Sequence, residues 1–214
     1  THSYGSLVYM ASQIASGLVY LHDKNIIHGA LSCKKCLLGP NFLVKIAEFS
    51  PAPKATATTT EKILMRLQHD SRPLRWMAME AAVMNEHSEK SDIWSFSTTL
   101  WELLTLARDL PYSSLTDQQV VERYNLNDEN RKQIMTSPMT LSRPVMCSSE
   151  MYDLMVECWS IDRSKRPNAR DVCAFLCQKV AGFRPSGVAL DAVVAGFGCS
   201  SGGSGSGDVV DLLV

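Results

Sequence analysis

Residues 91–106, SDIWSFSTTLWELLTL, constrain the fold more than any other stretch. Wound as a helix, this run is apolar almost all the way round, and such a helix is stable only when other elements surround it. It predicts a central pillar, with Ser91 or Asp92 placed to cap its N-terminus. The rest of the chain must supply the covering. Leu7, Met10, Ala11, Ile14, Leu18 and Leu21 recur at i, i+3, i+4 and i+7 spacing, which predicts an amphipathic helix with one buried face. Further helices are expected at about 116–124, 149–158 and 170–181. Short β-like pieces fall at Ile26-Ile27, Cys36-Leu37-Leu38 and Phe42 to Ile46, and Gly39-Pro40-Asn41 reads as the turn of a hairpin. The expected class is α+β, mainly α.

Two stretches break this texture. Residues 51–62, PAPKATATTTEK, are low in complexity and turn-rich and read as a mobile loop, in which Thr56, Thr58, Thr59 and Thr60 are candidate phosphorylation positions. Past Phe183, eight of the 12 glycines crowd between Gly182 and Gly207, so the boundary of the folded unit falls near 183. The expected organisation is one domain over 1–183 and a flexible Gly/Ser-rich tail over 184–214.

Composition excludes several classes of function. A 45% apolar and 20% charged chain has the means to bury a core. A net charge of −1 without a basic stripe argues against nucleic-acid binding. No run of eighteen apolar residues exists, so membrane attachment is expected only through an upstream segment. The N-terminus has neither a signal-peptide layout nor an initiator Met, which suggests a fragment of something longer. Seven scattered cysteines read as free thiols of a reducing compartment. Cys33-Lys34-Lys35-Cys36 is formally C-x-x-C, but a zinc site needs a second pair at ligand spacing.

Five landmarks, in order and at matching intervals over residues 6–181, resemble the larger, C-terminal lobe of a protein kinase. His28-Gly29-Ala30-Leu31 stands where kinases carry H-R-D-L, and Glu48-Phe49-Ser50 where they carry D-F-G. Arg75-Trp76-Met77-Ala78-Met79-Glu80 is similar to the R-W-M-A-P-E of tyrosine kinases. SDIWSFSTTLWE resembles their S-D-V-W-S-F-G-x-x-L-W-E helix, and Cys158-Trp159 followed by Arg166-Pro167 their closing C-W and R-P. PYSSLTDQQVVE and the apolar Met79 are closest to the discoidin-domain receptors. The resemblance covers the C-terminal lobe only. The glycine-rich phosphate loop of an upper lobe has no counterpart, and GGSGSG neither follows a strand nor opens a helix.

The resemblance implies roles, and at the catalytic positions the residues depart from them. Phosphoryl transfer needs a carboxylate to accept the substrate hydroxyl proton and ligands that hold Mg²⁺ against the phosphates. The proton acceptor's position is Ala30, a methyl group. The position of the second metal ligand is Lys35, an ammonium that repels a cation. The remaining metal position is Glu48, one methylene longer than Asp and at most a vestigial cation ligand. The arginine that would hold an activation-loop phosphotyrosine is Gly29, and no tyrosine occurs from Glu48 to Glu80. Lys34 resembles an arginine of the same loop but reads as a solvated charge.

The architectural positions are retained by the same comparison. His28, Phe49 and Asp92 match part of the packed column between kinase lobes, with Asp92 expected to accept hydrogen bonds from the loop main chain. Glu80 and Arg166 match a buried ion pair, and Leu37 the floor beneath adenine. Ala30 is expected to face an open cleft. The expectation is a receptor tyrosine kinase-like pseudokinase fragment, a very poor catalyst or none, with no cofactor predicted, that acts as a docking or allosteric module for signalling proteins or another kinase. It would lie on the cytoplasmic side of the plasma membrane as part of a longer single-pass receptor. The alternatives are a weakly active tyrosine kinase using ATP and Mg²⁺, and a gene fragment without function. The apolar residues closing the chain, Leu212 and Val214 on a free carboxylate, also suit a PDZ-type groove.

Overall fold

The computed structural model describes residues 3–48, 73–124 and 139–183, together with the main chain of 210–211. Six helices make up most of it: α1 (Tyr4–Asp23), α2 (Met79–Met84), α3 (Glu89–Leu104), α4 (Asp117–Tyr124), α5 (Ser149–Cys158) and α6 (Ala169–Lys179). Three short strands, β1 (Cys36–Leu38), β2 (Val44–Ile46) and β3 (Val210–Asp211), form one antiparallel sheet in the order β2-β1-β3. No helix among the described residues is long and apolar enough to cross a membrane.

The pillar is α3. Every residue from Ser91 to Leu104 is buried, against α1, α5 and the turn that precedes α2. Most of its polar side chains are satisfied on the spot or aimed at neighbours; the Trp94 indole N–H is buried without a hydrogen-bond partner, and its ring lies against the Arg166 guanidinium instead. Ser95, Thr98 and Thr99 hydroxyls donate to carbonyls one turn back. The Ser97 hydroxyl donates to the Met155 carbonyl of α5 at 3.1 Å, and Trp159 Nε1–H to Thr98 Oγ1 at 3.1 Å. The helix begins one turn earlier than the sequence suggested. Ser88, not Ser91 or Asp92, is the cap: its hydroxyl accepts from Ser91 N–H while the Ser91 hydroxyl accepts from Ser88 N–H. This reciprocal box satisfies two of the first-turn donors and frees Asp92 for longer-range work.

α1 buries one face, with Leu7, Met10, Ala11, Ile14, Leu18 and Leu21 all in the core. It packs along α6 and against β2. The approach to β2 is close enough that a Cβ on Gly17 would come within 2.8 Å of Ile46 Cδ1. Ser148 and Asn168 cap α5 and α6 by accepting main-chain N–H groups.

The strand expectations fare unevenly. Cys36–Leu38 and Val44–Ile46 pair in register, Leu37 opposite Lys45. The turn between them is a short 3-10 segment with Asn41 and Phe42 at positive φ. Ile26-Ile27 forms no strand. Its backbone serves instead to close α1, Ile26 N–H donating to the Leu21 carbonyl. Residues 51–62 and their threonines lie outside the described residues, as do 184–209 and 212–214. Val210–Asp211, assigned by composition to a free tail, forms a strand on β1.

Candidate functional site

The site is the turn His28–Ala30, the 3-10 segment Cys33–Lys35 and the end of β2. Two acids of the pillar hold it from beneath. Asp92 Oδ2 accepts the His28 N–H at 2.8 Å, and Oδ1 accepts the Gly29 N–H at 2.9 Å. His22 Nε2 lies 3.1 Å from the same Oδ2. Both carboxylate oxygens of Asp92 thus meet main-chain N–H groups across 63 and 64 residues of sequence. The second acid, Glu102, accepts the Cys33 N–H at 3.0 Å and the Trp76 indole N–H at 2.8 Å on a single oxygen. It thereby joins the loop to the segment ahead of α2.

The bend that Asp92 imposes explains one residue choice. Gly29 sits at φ 75°, in the left-handed region where a side chain costs energy. Glycine here removes the guanidinium expected of the position and relaxes the turn. Burial pushes the pKa of His28 down, opposed by the charge of Asp92.

Ala30 departs from expectation. It is 2% exposed, not open to a cleft, and its N–H lies 3.3 Å from His28 Nδ1. The turn that Asp92 draws inward carries Ala30 into the core with it. Its methyl offers neither a proton acceptor nor a ligand.

Lys35 and Glu48 come together. Ala47 N–H donates to the Lys35 carbonyl at 2.8 Å, fixing the 3-10 segment beside the end of β2. The next residue, Glu48, adopts φ 54°, and its carboxylate forms an ion pair with the Lys35 ammonium. Lys35 is 15% exposed and Glu48 67%. The hydrogen bond from Lys35, then its charge, holds the Glu48 pKa below the usual carboxylate range. The two positions that would grip a cation therefore hold each other. Lys34, next door, is exposed. Leu37, half-buried on β1, lies between Lys45 and Asp211 in the sheet. Phe49 lies outside the described residues.

Away from the loop, Glu80 and Arg166 form a bidentate pair at 2.5 and 3.1 Å, 3% and 2% exposed. Arg166 also donates to the carbonyls of Ser160 and Lys90 and lies 5.0 Å over the Trp94 ring. The cysteines of the C-x-x-C run are buried and turned apart, Cys33 Sγ toward the Thr99 carbonyl and Cys36 Sγ toward that of Ser32. Burial pushes both thiols up, Cys36 to about 12, which leaves them as packing residues. No cluster of three or more potential metal-ligating side chains occurs among the described residues.

Sequence reasoning missed three contributors. His22 joins Asp92. Glu102 bridges loop and segment. Arg75 spends its guanidinium on Asp117 and on the carbonyls of Pro111, Tyr112 and Leu115, fastening the α3–α4 connection. The signal for Glu102 was present: an acid inside an apolar helix requires donors from elsewhere.

A pillar helix whose buried acids pin a catalytic-type loop, with a buried Glu–Arg pair closing the far side, is the C-terminal lobe of a protein kinase. The family profile described as protein tyrosine and serine/threonine kinase matches residues 1–176, and the chain belongs to that family. Among individual proteins, it is 38% identical over 180 residues to epithelial discoidin domain-containing receptor 1 of Homo sapiens, covering 83% of this chain and 19% of the receptor. The receptor of that name from Mus musculus matches at 38% over 178 residues, 82% of this chain and 19% of the receptor. The NT-3 growth factor receptor of Gallus gallus is 32% identical over 170 residues, 79% of this chain and 19% of that protein. The chain spans about a fifth of the length of these relatives.

Proposed function

We propose that this lobe is a receptor tyrosine kinase-like pseudokinase that acts as a protein-interaction or allosteric module rather than as a phosphoryl-transfer catalyst. The observation that carries the reading is the Lys35–Glu48 ion pair. With an ammonium already neutralising Glu48, a divalent cation entering there must displace a tethered charge and then sit beside it. Ala30 adds a second deficit, since general-base catalysis contributes about 10²–10⁴-fold in rate. Loss of metal-held charge stabilisation removes a further, often larger part. The two losses need not multiply, yet either alone leaves a poor catalyst.

The relatives bear the names of receptors, which supports placing the lobe on the cytoplasmic side of a longer single-pass protein. Its partners there would be signalling proteins or a second kinase. A weakly active kinase is the competing reading, and the exposure of Glu48 favours it, because that carboxylate is accessible if Lys35 moves away.

Melting temperature with and without Mg-ATP separates the two. The measurement is made on a longer form of the protein that includes an upper lobe. The expected outcome is no cation-dependent shift. A rise of several degrees, or transfer of phosphate to a tyrosine peptide that Glu48→Ala abolishes, overturns the pseudokinase reading.

A further inference from the structure

The outer edge of β1 is taken by a segment of the chain's own C-terminal tail. Leu37 lies opposite Asp211 and Leu38 opposite Val210, antiparallel. The hairpin specifies which main-chain groups meet. Ala47 N–H donates to the Lys35 carbonyl, and Gly39 N–H to the Leu43 carbonyl at 2.7 Å. Hydrogen-bonded and non-bonded pairs alternate along an antiparallel ladder. The bonded pair between those two is therefore Leu37 with Lys45, and Leu37 turns its N–H and C=O toward β2. Cys36 N–H is used within its own turn, donating to the Cys33 carbonyl. Leu38, opposite Val44 in a non-bonded pair, points its N–H and C=O to the other edge. Val210 stands there. Leu38 and Val210 are thus the pair that exchanges hydrogen bonds, and the Asp211 N–H points away from β1.

The length of the connection suits this contact. Phe183, where the described lobe ends, packs on the N-terminal half of α1: a Cβ on Gly5 would lie 2.8 Å from its ring, and Tyr9 lies 5.7 Å from it between centroids. The hairpin sits on the same helix one to two turns further along. Gln13 donates to the Phe42 carbonyl at 2.7 Å and accepts from Val44 N–H at 3.0 Å. The two places are separated by about 6–12 Å along the helix axis. A random coil with as many residues as 184–209 would have an r.m.s. span of about 25–30 Å, more than this separation. At that length a tethered segment is present at an effective concentration of about millimolar. A strand contact too weak to hold two separate molecules together is populated under those conditions.

We propose that the C-terminal tail is a ligand of its own lobe, with Val210–Asp211 adding as a strand to the β1 edge through the main chain of Leu38. The occupied strand is the one that carries Leu37. The proposal holds whether or not the lobe transfers phosphate. It also sets the tail against any outside groove that reads the last residues by strand addition, because one segment pairs with one sheet edge at a time.

Residue-resolved amide hydrogen exchange on the full 214-residue chain tests it. Val210→Pro deletes the N–H that donates to the Leu38 carbonyl, and the Leu38 amide is expected to exchange about three- to tenfold faster, the factor that tethering at about 1 mM gives a strand contact with an intrinsic Kd of about 0.1–0.5 mM. The Leu37 amide, bonded to β2, keeps its rate. Asp211→Pro is the control: its N–H lies outside the ladder, a position where an edge strand tolerates proline, and Leu38 stays protected. Removing residues 212–214 also leaves Leu38 protected. An unchanged Leu38 rate in Val210→Pro overturns the proposal. So does equal acceleration by the two prolines, acceleration of Leu37 along with Leu38, or loss of protection on removing 212–214.

Discussion

Replacing Arg166 with Ala removes a guanidinium that four groups depend on. Glu80 loses both of its charge-assisted bonds, at 2.5 and 3.1 Å, and is left 3% exposed with a full charge. The carbonyls of Ser160 and Lys90 each lose a donor, at 2.8 and 2.9 Å, and Trp94 loses the cation lying over its ring. Breaking a buried pair by removing one partner costs about 3–5 kcal/mol. The two carbonyls that lose a donor add to that, but they share one side chain, so the contributions do not sum. A loss of about 4 kcal/mol is a large share of the roughly 5–15 kcal/mol that holds a domain folded. With a urea slope of about 2 kcal/mol/M, the unfolding midpoint should fall by about 2 M, followed by tryptophan fluorescence. A double variant, Arg166→Met with Glu80→Leu, removes both charges and should recover much of the loss, because apolar replacement of a whole buried pair is often near neutral. A midpoint for Arg166→Ala within about 0.5 M of the unaltered protein refutes the reasoning. A double variant no more stable than Arg166→Ala shows that the carboxylate was not the source of the cost.

Two further predictions concern the loop. Lys35→Gln should move the Glu48 carboxyl pKa up toward its ordinary value, observable by NMR titration of the side chain. Because the pair depresses that pKa, any stability it lends is present above the usual carboxylate range and is lost as pH falls through the lowered pKa; an unmoved Glu48 titration rules the ion pair out. Ala30→Asp, the change that would restore a proton acceptor, should destabilise the lobe by a few kcal/mol at pH 7, because Ala30 is 2% exposed and an unpaired charge is costly to bury. The loss should shrink toward pH 4 as the new carboxyl protonates, and urea midpoints that are equal at both pH values count against burial of this position.

Regular elements with a strong apolar period were legible in advance. Residues 149–158 form α5 from Ser149 to Cys158, and the pillar over 91–106 became α3. What failed were choices decided by distant partners. Ser88 and Ser91 are both capable caps, as is Asp92, and local sequence does not say that His28 and Gly29 will claim Asp92 from more than sixty residues away. The same contact buries Ala30, which pattern alone left facing a cleft. Ile26-Ile27 has β-type side chains but pairs with no strand among the described residues, and its main chain closes α1 instead. The Lys35–Glu48 pair was half-visible: the two substitutions were evident singly, but their meeting depends on the Ala47–Lys35 hydrogen bond. β3 was invisible because nothing in the glycine- and serine-rich composition distinguishes a tail that returns from one that does not.

The Glu80–Arg166 pair joins residues 86 positions apart, which gives the lobe a clock during synthesis. At about 5–20 residues per second, Glu80 emerges from the ribosome roughly 4–17 s before Arg166 does. For that interval the carboxylate has no cation to neutralise it inside a core, and the segment around α2 stays wet and unlocked. A ribosome that stops short of Arg166 therefore releases a chain that is unable to close. A chain carried past Arg166 holds the cation that this carboxylate requires before it can be buried.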